Sequence, residues 1–247
     1  MRLCVLVLLW LSYLAQISLP WPGPGAASGG TGPGGISATG LQVWYRGDNL
    51  TCTGGCTGTN TVTSFNDLST NANNCTPIGS PTFLANAVNS KPGVTIQTGC
   101  TFGSPLAWGG AVTVFVVWAN TSTTNKSSFL QGASGSFKNW SGNGSAQNGM
   151  DKTSVVQIAI GTAAANTSFN QQGATYDGTN WAFYIASTTD GSGANAQTIS
   201  ASDTTIGCNS CGEQIRGTLV EFFSYSRILT GPEITTAQAY LHGSYGT

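Results

Sequence analysis

The stretch Gly217–Tyr245, GTLVEFFSYSRILTGPEITTAQAYLHGSY, holds two periodicities that meet at a readable boundary. From Thr218 to Tyr225 large apolar side chains fall on both alternating sets of positions, which predicts an extended strand buried on both faces. A helix follows: Thr230 is its candidate cap, Glu233 stands three residues on as in a capping box, and Pro232 falls in the first turn. Ile234, Ala237 and Leu241 form one apolar stripe, and Gly243 is the expected stop.

Upstream, Val112–Trp118 is an unbroken apolar run between Gly110 and Asn120, the pattern of a central strand covered on both sides. Leu41–Tyr45 alternates as a first strand, Phe65–Ser69 reads as a short strand or turn, and Phe83–Ile96 reads as strand, turn at Asn89–Pro92, and strand. Ser128–Gln131, Val155–Ile160 and Asn180–Ala186 are further candidates, the last preceded by an Asp177–Gly178 turn. Short strands separated by Gly, Asn and Ser clusters and followed by one terminal helix predict an all-β, antiparallel two-sheet sandwich.

Extended by one residue to Gly246, the terminal segment resembles the closing signature of the LamG-like, concanavalin A-like lectin/glucanase superfamily. Other matches follow in family order: LQVWYRGD at Leu41–Asp48, SFNDLS at Ser64–Ser69, PTFLANAVNSKPGVTI at Pro81–Ile96, VTVFVVW at Val112–Trp118 and YDGTNWAFYI at Tyr176–Ile185. The resemblance implies a jelly-roll sandwich over residues 37–247 with a short C-terminal helix. It is specific for fold and weak for activity, because one fold hosts many activities.

Composition narrows the function classes. Charged residues make up 7% of the 247 and the formal net charge is −1, so no basic face is available to neutralise phosphates, and nucleic acid is not an expected partner. The 34 glycines and abundant Ser, Thr and Asn describe a neutral hydroxyl- and amide-rich surface. Residues 1–27 carry Arg2, an apolar run from Leu3 to Leu14 and the small residues Gly25–Ala27, the pattern of a cleaved secretory signal. An uncleaved anchor is the rival, weakened by Ser12, Gln16 and Ser18 and by a length short of the ~20 residues a span requires. Residues 28–36 continue a Pro- and Gly-rich stretch that reads as a linker. The expected location is secreted or on the cell surface, with no stable membrane span in the mature chain.

With Cys4 in the signal, Cys52, Cys56, Cys75, Cys100, Cys208 and Cys211 are left, an even number that suggests disulfides in an exported chain. Six cysteines allow fifteen pairings. Local closure favours Cys52 with Cys56, Cys75 with Cys100 and Cys208 with Cys211. Zinc is the rival, disfavoured by the absence of a companion histidine and by asymmetric spacing.

No catalytic set is legible. Glycosidases of the resembled superfamily carry paired carboxylates at alternating positions of one strand, whereas Glu213, Glu221 and Glu233 have no carboxylate partner at such spacing. Glu221 is expected to be a satisfied structural group, paired with Arg227 or a backbone amide. The sole histidine, His242, falls at the helix end, where a cation is favourable in itself. The resemblance also implies a possible calcium ion among Asp48, Asp67, Asp177, Asp190 and Asp203, with turn formation as the competing role of Asp67 and Asp177.

Ligand-binding candidates are Phe137, Trp140, Asn139 and Asn143, since the polar stretch Ser134–Met150 contains two aromatic rings that could stack on a sugar. The competing role is that both rings are inward strand residues. Trp44, Trp118 and Trp181 read as core, and Trp108 is undecided. Arg46–Asp48 spells RGD at a place where the resembled family commonly has Arg-x-Asp, and seven N-x-S/T sequons occur in a chain already rich in these residues. The expected function is a non-catalytic domain binding extracellular glycans or another surface ligand. The alternative is a structural protein of a surface layer, filament, adhesin or virion, in which self-assembly uses the sandwich as scaffold.

Overall fold

A computed structural model describes residues 31–121, 127–132, 137–142, 147–152, 156–164, 166–199, 202–207 and 214–247. The strands are β1 (Leu41–Arg46), β2 (Leu50–Cys52), β3 (Val62–Phe65), β4 (Cys75–Ile78), β5 (Thr82–Val88), β6 (Lys91–Ile96), β7 (Gly99–Ala107), β8 (Val112–Asn120) and β9 (Ser127–Ser128). They continue as β10 (Gln131–Gly132), β11 (Phe137–Gly142), β12 (Gln147–Lys152), β13 (Val156–Ala164), β14 (Asn170–Tyr176), β15 (Asn180–Ile185), β16 (Thr188–Ala194), β17 (Ser202–Gly207) and β18 (Gly217–Tyr225). Helix α1 spans Gly231–Tyr245.

An eight-stranded antiparallel sheet runs β16-β15-β14-β8-β18-β6-β5, with β1 also paired to β18. A six-stranded sheet, β10-β17-β7-β4-β3-β2, and a four-stranded sheet, β13-β12-β11-β9, form the opposing layer. Side chains from all three meet in one core: Val114, Val116 and Phe222 from the first, Cys75, Phe102 and Leu106 from the second, Met150 and Ile158 from the third. The two-layer antiparallel sandwich with a terminal helix is therefore the observed fold.

The other face of the eight-stranded sheet carries a second core. Phe115, Val117, Val220, Phe223 and Tyr225 pack there against Ile234, Ala237, Leu241 and Tyr245 of α1. This is why β8 and β18 are apolar at consecutive positions: each is covered on both sides. The Gly/Pro-rich stretch joins this layer, since Ile36 is buried in it and Gly34 lies so near Tyr240 that a Cβ would collide with the Cβ of that side chain.

The helix begins as its sequence indicates, with the Thr230 amide donating to Glu233 Oε2 at 2.8 Å. It runs past the expected stop at Gly243. Gly246, at φ 72°, is the C-cap, and its amide reaches the His242 carbonyl at 2.7 Å.

Strand β18 organises the large sheet. One edge pairs with β8 along its length, while the other is shared end to end, Gly217–Leu219 with β6 and Glu221–Tyr225 with β1. Gly47 sits at the junction. Its amide donates to the Val220 carbonyl at 2.8 Å, and a Cβ there would overlap the Pro92 carbonyl, so the close approach of β1 to β6 requires glycine.

Candidate functional site

Of the groups able to carry chemistry, Glu221 has the most unusual setting. The ladder between β18 and β8 steps from Leu219 opposite Trp118 to Glu221 opposite Val117, leaving Val220 as a bulged extra residue. The bulge turns Glu221 toward the helix. There it is 1% exposed and accepts from Trp44 Nε1 at 2.6 Å, Tyr240 OH at 3.0 Å and Tyr245 OH at 2.5 Å. Burial raises its pKa to about 7, partly offset by these donors and by Arg46. The group is satisfied, as expected, but not by Arg227. That guanidinium instead grips Glu233 through two bonds of 2.8 and 2.7 Å, because it leaves β18 on the far side of Tyr225 and faces the start of α1. Its hydrogen bonds, with those from Thr230 and its charge adding to them, hold the Glu233 carboxyl down at about 2 against the opposing cost of burial.

The aspartates are each engaged locally. Asp67 accepts from the Trp44, Ser69 and Asn73 amides at 2.8, 2.9 and 2.9 Å, and Asp177 from the Thr179 and Asn180 amides, so both shape turns. Asp190 receives the Ala163 amide at 2.6 Å and the Thr162 hydroxyl at 2.8 Å, tying β16 to β13. Asp203 is buried against Trp108 Nε1, which places Trp108 in the core. Asp48 pairs with Arg46, whose Nε lies 2.9 Å from Oδ1, so two of the three residues of the RGD tripeptide are bound to each other. Among the described residues no three His, Cys, Asp or Glu side chains converge as a metal site.

Cys52–Cys56 and Cys75–Cys100 are disulfides, the first closing the Gly-rich loop after β2 and the second joining β4 to β7. Cys208 and Cys211 lie outside the described residues. Of the tryptophans read as core, Trp118 is buried, whereas Trp44 and Trp181 are half-buried and flank the two cores. Gly193 leaves room for the Trp181 ring beside the edge strand.

The polar stretch around Phe137 and Trp140 contributes strands β11 and β12, in keeping with the strand placement weighed for both rings. Phe137 stands opposite Lys152, Asn139 opposite Met150, and Trp140 opposite both Gly149 and Ser128. Pairing with β12, and for Trp140 with β9 as well, fixes these residues as ladder positions, a setting that β-favouring Phe and Trp support. Asn143 lies outside the described residues.

A groove that the sequence did not single out lies where the chain crosses twice between the layers. It has a volume of about 300 Å³ and is lined by Ile78, Gly79, Ser80, Pro81, Thr82, Thr95, Gln97 and Thr98. One wall is the β4–β5 turn, in which Gly79 adopts φ 81°, and the other is the β6–β7 turn. The Thr98 hydroxyl is spent on the Ile78 carbonyl. No ionisable side chain lines the groove; hydroxyls and one amide face it, with Ile78 and Pro81 as the apolar floor. Such a lining can hydrogen-bond an uncharged polyol without desolvating a charge. The signal was weak in the sequence because Ser, Thr and Gln of this kind occur throughout the chain.

No protein-family model and no curated protein sequence matches the chain. Solved structures do. An arabinofuranosidase complexed with arabinofuranosyl-α-1,2-xylobiose is similar with a TM-score of 0.61 and 13% identity, over 85% of this chain and 61% of that one. Domain 4 of an extracellular GH43 arabinanase from Geobacillus stearothermophilus, in complex with arabinotriose, is similar at 0.56 and 15% identity, over 80% of this chain and 98% of the domain. A Trypanosoma rangeli sialidase bound to sialic acid gives 0.54 and 14% identity, over 89% of this chain and 36% of that one. The chain thus spans about 61% of the arabinofuranosidase it resembles. At these identities the likeness is one of fold, and the fold is one used by carbohydrate-active proteins.

Proposed function

We propose that this sandwich is an extracellular binding domain for neutral glycans, related to the LamG-like group it resembles and with no chemistry of its own. The observation that carries the reading is the groove at the β4–β5 and β6–β7 turns, whose lining is uncharged, rich in hydroxyls and large enough for a sugar ring. No carboxylate lines it, which sets it apart from a glycosidase cleft with its acid and its nucleophile or base. Two disulfides and the signal-like N-terminus fit an exported protein. Among the described residues no helix is long and apolar enough to cross a membrane.

The test is binding of the folded, monodisperse protein to an array of neutral oligosaccharides, repeated with Gln97→Ala combined with Thr95→Val. The variant is expected to bind at least tenfold more weakly, a loss of ~1.4 kcal/mol. Trp140→Ala in parallel reports whether the β11–β12 hairpin contributes. Absence of binding to every glycan would overturn the reading, and ordered self-assembly in its place would favour a structural role.

A further inference from the structure

Among the described residues, α1 packs on the eight-stranded sheet, whereas the outer face of the six-stranded sheet carries exposed polar residues. Registers across this sheet align one polar residue from each strand. Thr51 of β2 stands opposite Ser64 of β3, and β3 joins β4 through the Phe65–Cys75 pair, to which Ser64 and Thr76 are the chain neighbours. Thr76 faces Thr101 of β7, Thr101 faces Thr205 of β17, and Thr205 faces Gln131 of β10. Their neighbours Phe65, Cys75, Cys100, Phe102 and Ile206 point into the core, so the alternation directs the hydroxyl row outward. Thr51, Thr76 and Thr101 are exposed, and Ser64 and Thr205 are half-buried.

We infer that this face is a track for a linear, uncharged polysaccharide chain laid across the strands, one sugar ring to each strand. The inference rests on the glycan-binding reading above and names the form of its ligand. Adjacent strands are about 4.8 Å apart, so the row from Thr51 to Thr205 is a line of hydroxyls roughly 20 Å long at a pitch close to that of rings in an extended glycan. A hydroxyl both donates and accepts, as sugar hydroxyls do, although Thr205 here donates to the Gly207 carbonyl at 2.8 Å and Thr51 to Asn66 Oδ1 at 3.3 Å. None of the six residues is ionisable, which suits a neutral chain and gives nothing to a phosphorylated or sulfated one.

Sheet twist decides between a chain and a flat lattice. Neighbouring strands rotate by about 20°, so a rigid planar surface loses contact after two or three strands, whereas a single polymer can follow the curve. The track also adjoins the groove: Ile78 and Thr98, which line it, lie two residues beyond Thr76 and three before Thr101. Exposed hydrogen bonds are individually weak, so affinity must come from several in series.

The test is calorimetry with β-1,4-linked xylo-oligosaccharides and linear arabino-oligosaccharides from two to six rings, and gel retardation in the matching soluble polymers. Affinity is expected to rise with length up to four or five rings. Thr76→Val with Thr101→Val, which removes two hydroxyls and keeps the side-chain shape, is expected to abolish that rise and weaken polymer binding about tenfold, while short oligosaccharides still bind the groove. Length-independent affinity, or unchanged retardation of the double variant, would overturn the track and leave the groove reading intact. Loss of short-oligosaccharide binding only in the groove variant, with no ligand affected by the double variant, would do the same. Concentration-dependent dimerisation lost in the double variant would assign the face to a second copy and overturn it.

Discussion

The two outward-facing sheet surfaces of this molecule are opposites. On the eight-stranded sheet, α1 covers Phe115, Val220, Phe223 and Tyr225, and even its carboxylate is enclosed by three donors. On the six-stranded sheet, Thr51, Thr76 and Thr101 are exposed, and no described helix packs over them. The covered face holds the residues that look important by type, a glutamate, aromatics and a charged pair, and nearly all of them are engaged in building. The bare face holds residues that look ordinary by type, and their interest comes from alignment alone.

The contrast can be tested by its consequences for stability. Phe223→Ala, which opens a cavity between β18 and α1, is expected to cost about 3–5 kcal/mol in urea unfolding. A small effect there would mean that α1 covers the sheet without being needed by it. Next in size is the pH dependence set by Glu221. Its folded pKa of about 7 lies above the ordinary value of 4.5, so the folded state holds the proton more tightly than the unfolded chain. The stability it confers is complete below about pH 4.5 and is lost as pH rises through 7, a change on the order of 3 kcal/mol. Glu221→Gln is expected to flatten the unfolding free energy across that window. Glu233 has the opposite sign, its depressed pKa giving stability that is lost as pH falls toward 2, so the two are separable by pH. Smallest is Thr101→Val on the bare face, which should change stability by less than about 0.5 kcal/mol. A larger loss would make the hydroxyl row structural.

The covered face is also the legible one. Val112–Trp118 and Gly217–Tyr245 announce themselves because burial on two sides forces apolar residues at every position, and because a capping box marks where the helix starts. Strands β7 and β14 carry no such mark. GCTFGSPLA is diluted by glycine and proline, and is held as a strand by β4, β17 and the Cys75–Cys100 bridge, which are long-range facts. Glu221 was legible as a satisfied group, but its partners were not, since one bulged residue decides which face it meets. For the same reason the hydroxyl row is invisible in the sequence: it exists only when five registers, three of them interrupted by shifts, are known together. The Phe137–Trp140 segment shows the converse. Its composition left loop and strand open, and pairing with β12, joined at Trp140 and Ser141 by pairing with β9, makes it a strand.

The sharing of β18 by β1, β6 and β8 also sets an order of events in time. Gln42 and Ser226, joined across the first and last strands of the large sheet, are 184 positions apart. Three strands made early in synthesis must therefore wait, unpaired along one edge, until nearly the whole sandwich sequence has emerged. Contacts so distant in sequence make folding slow, and a chain that folds late is one that can be threaded through an export channel before it closes.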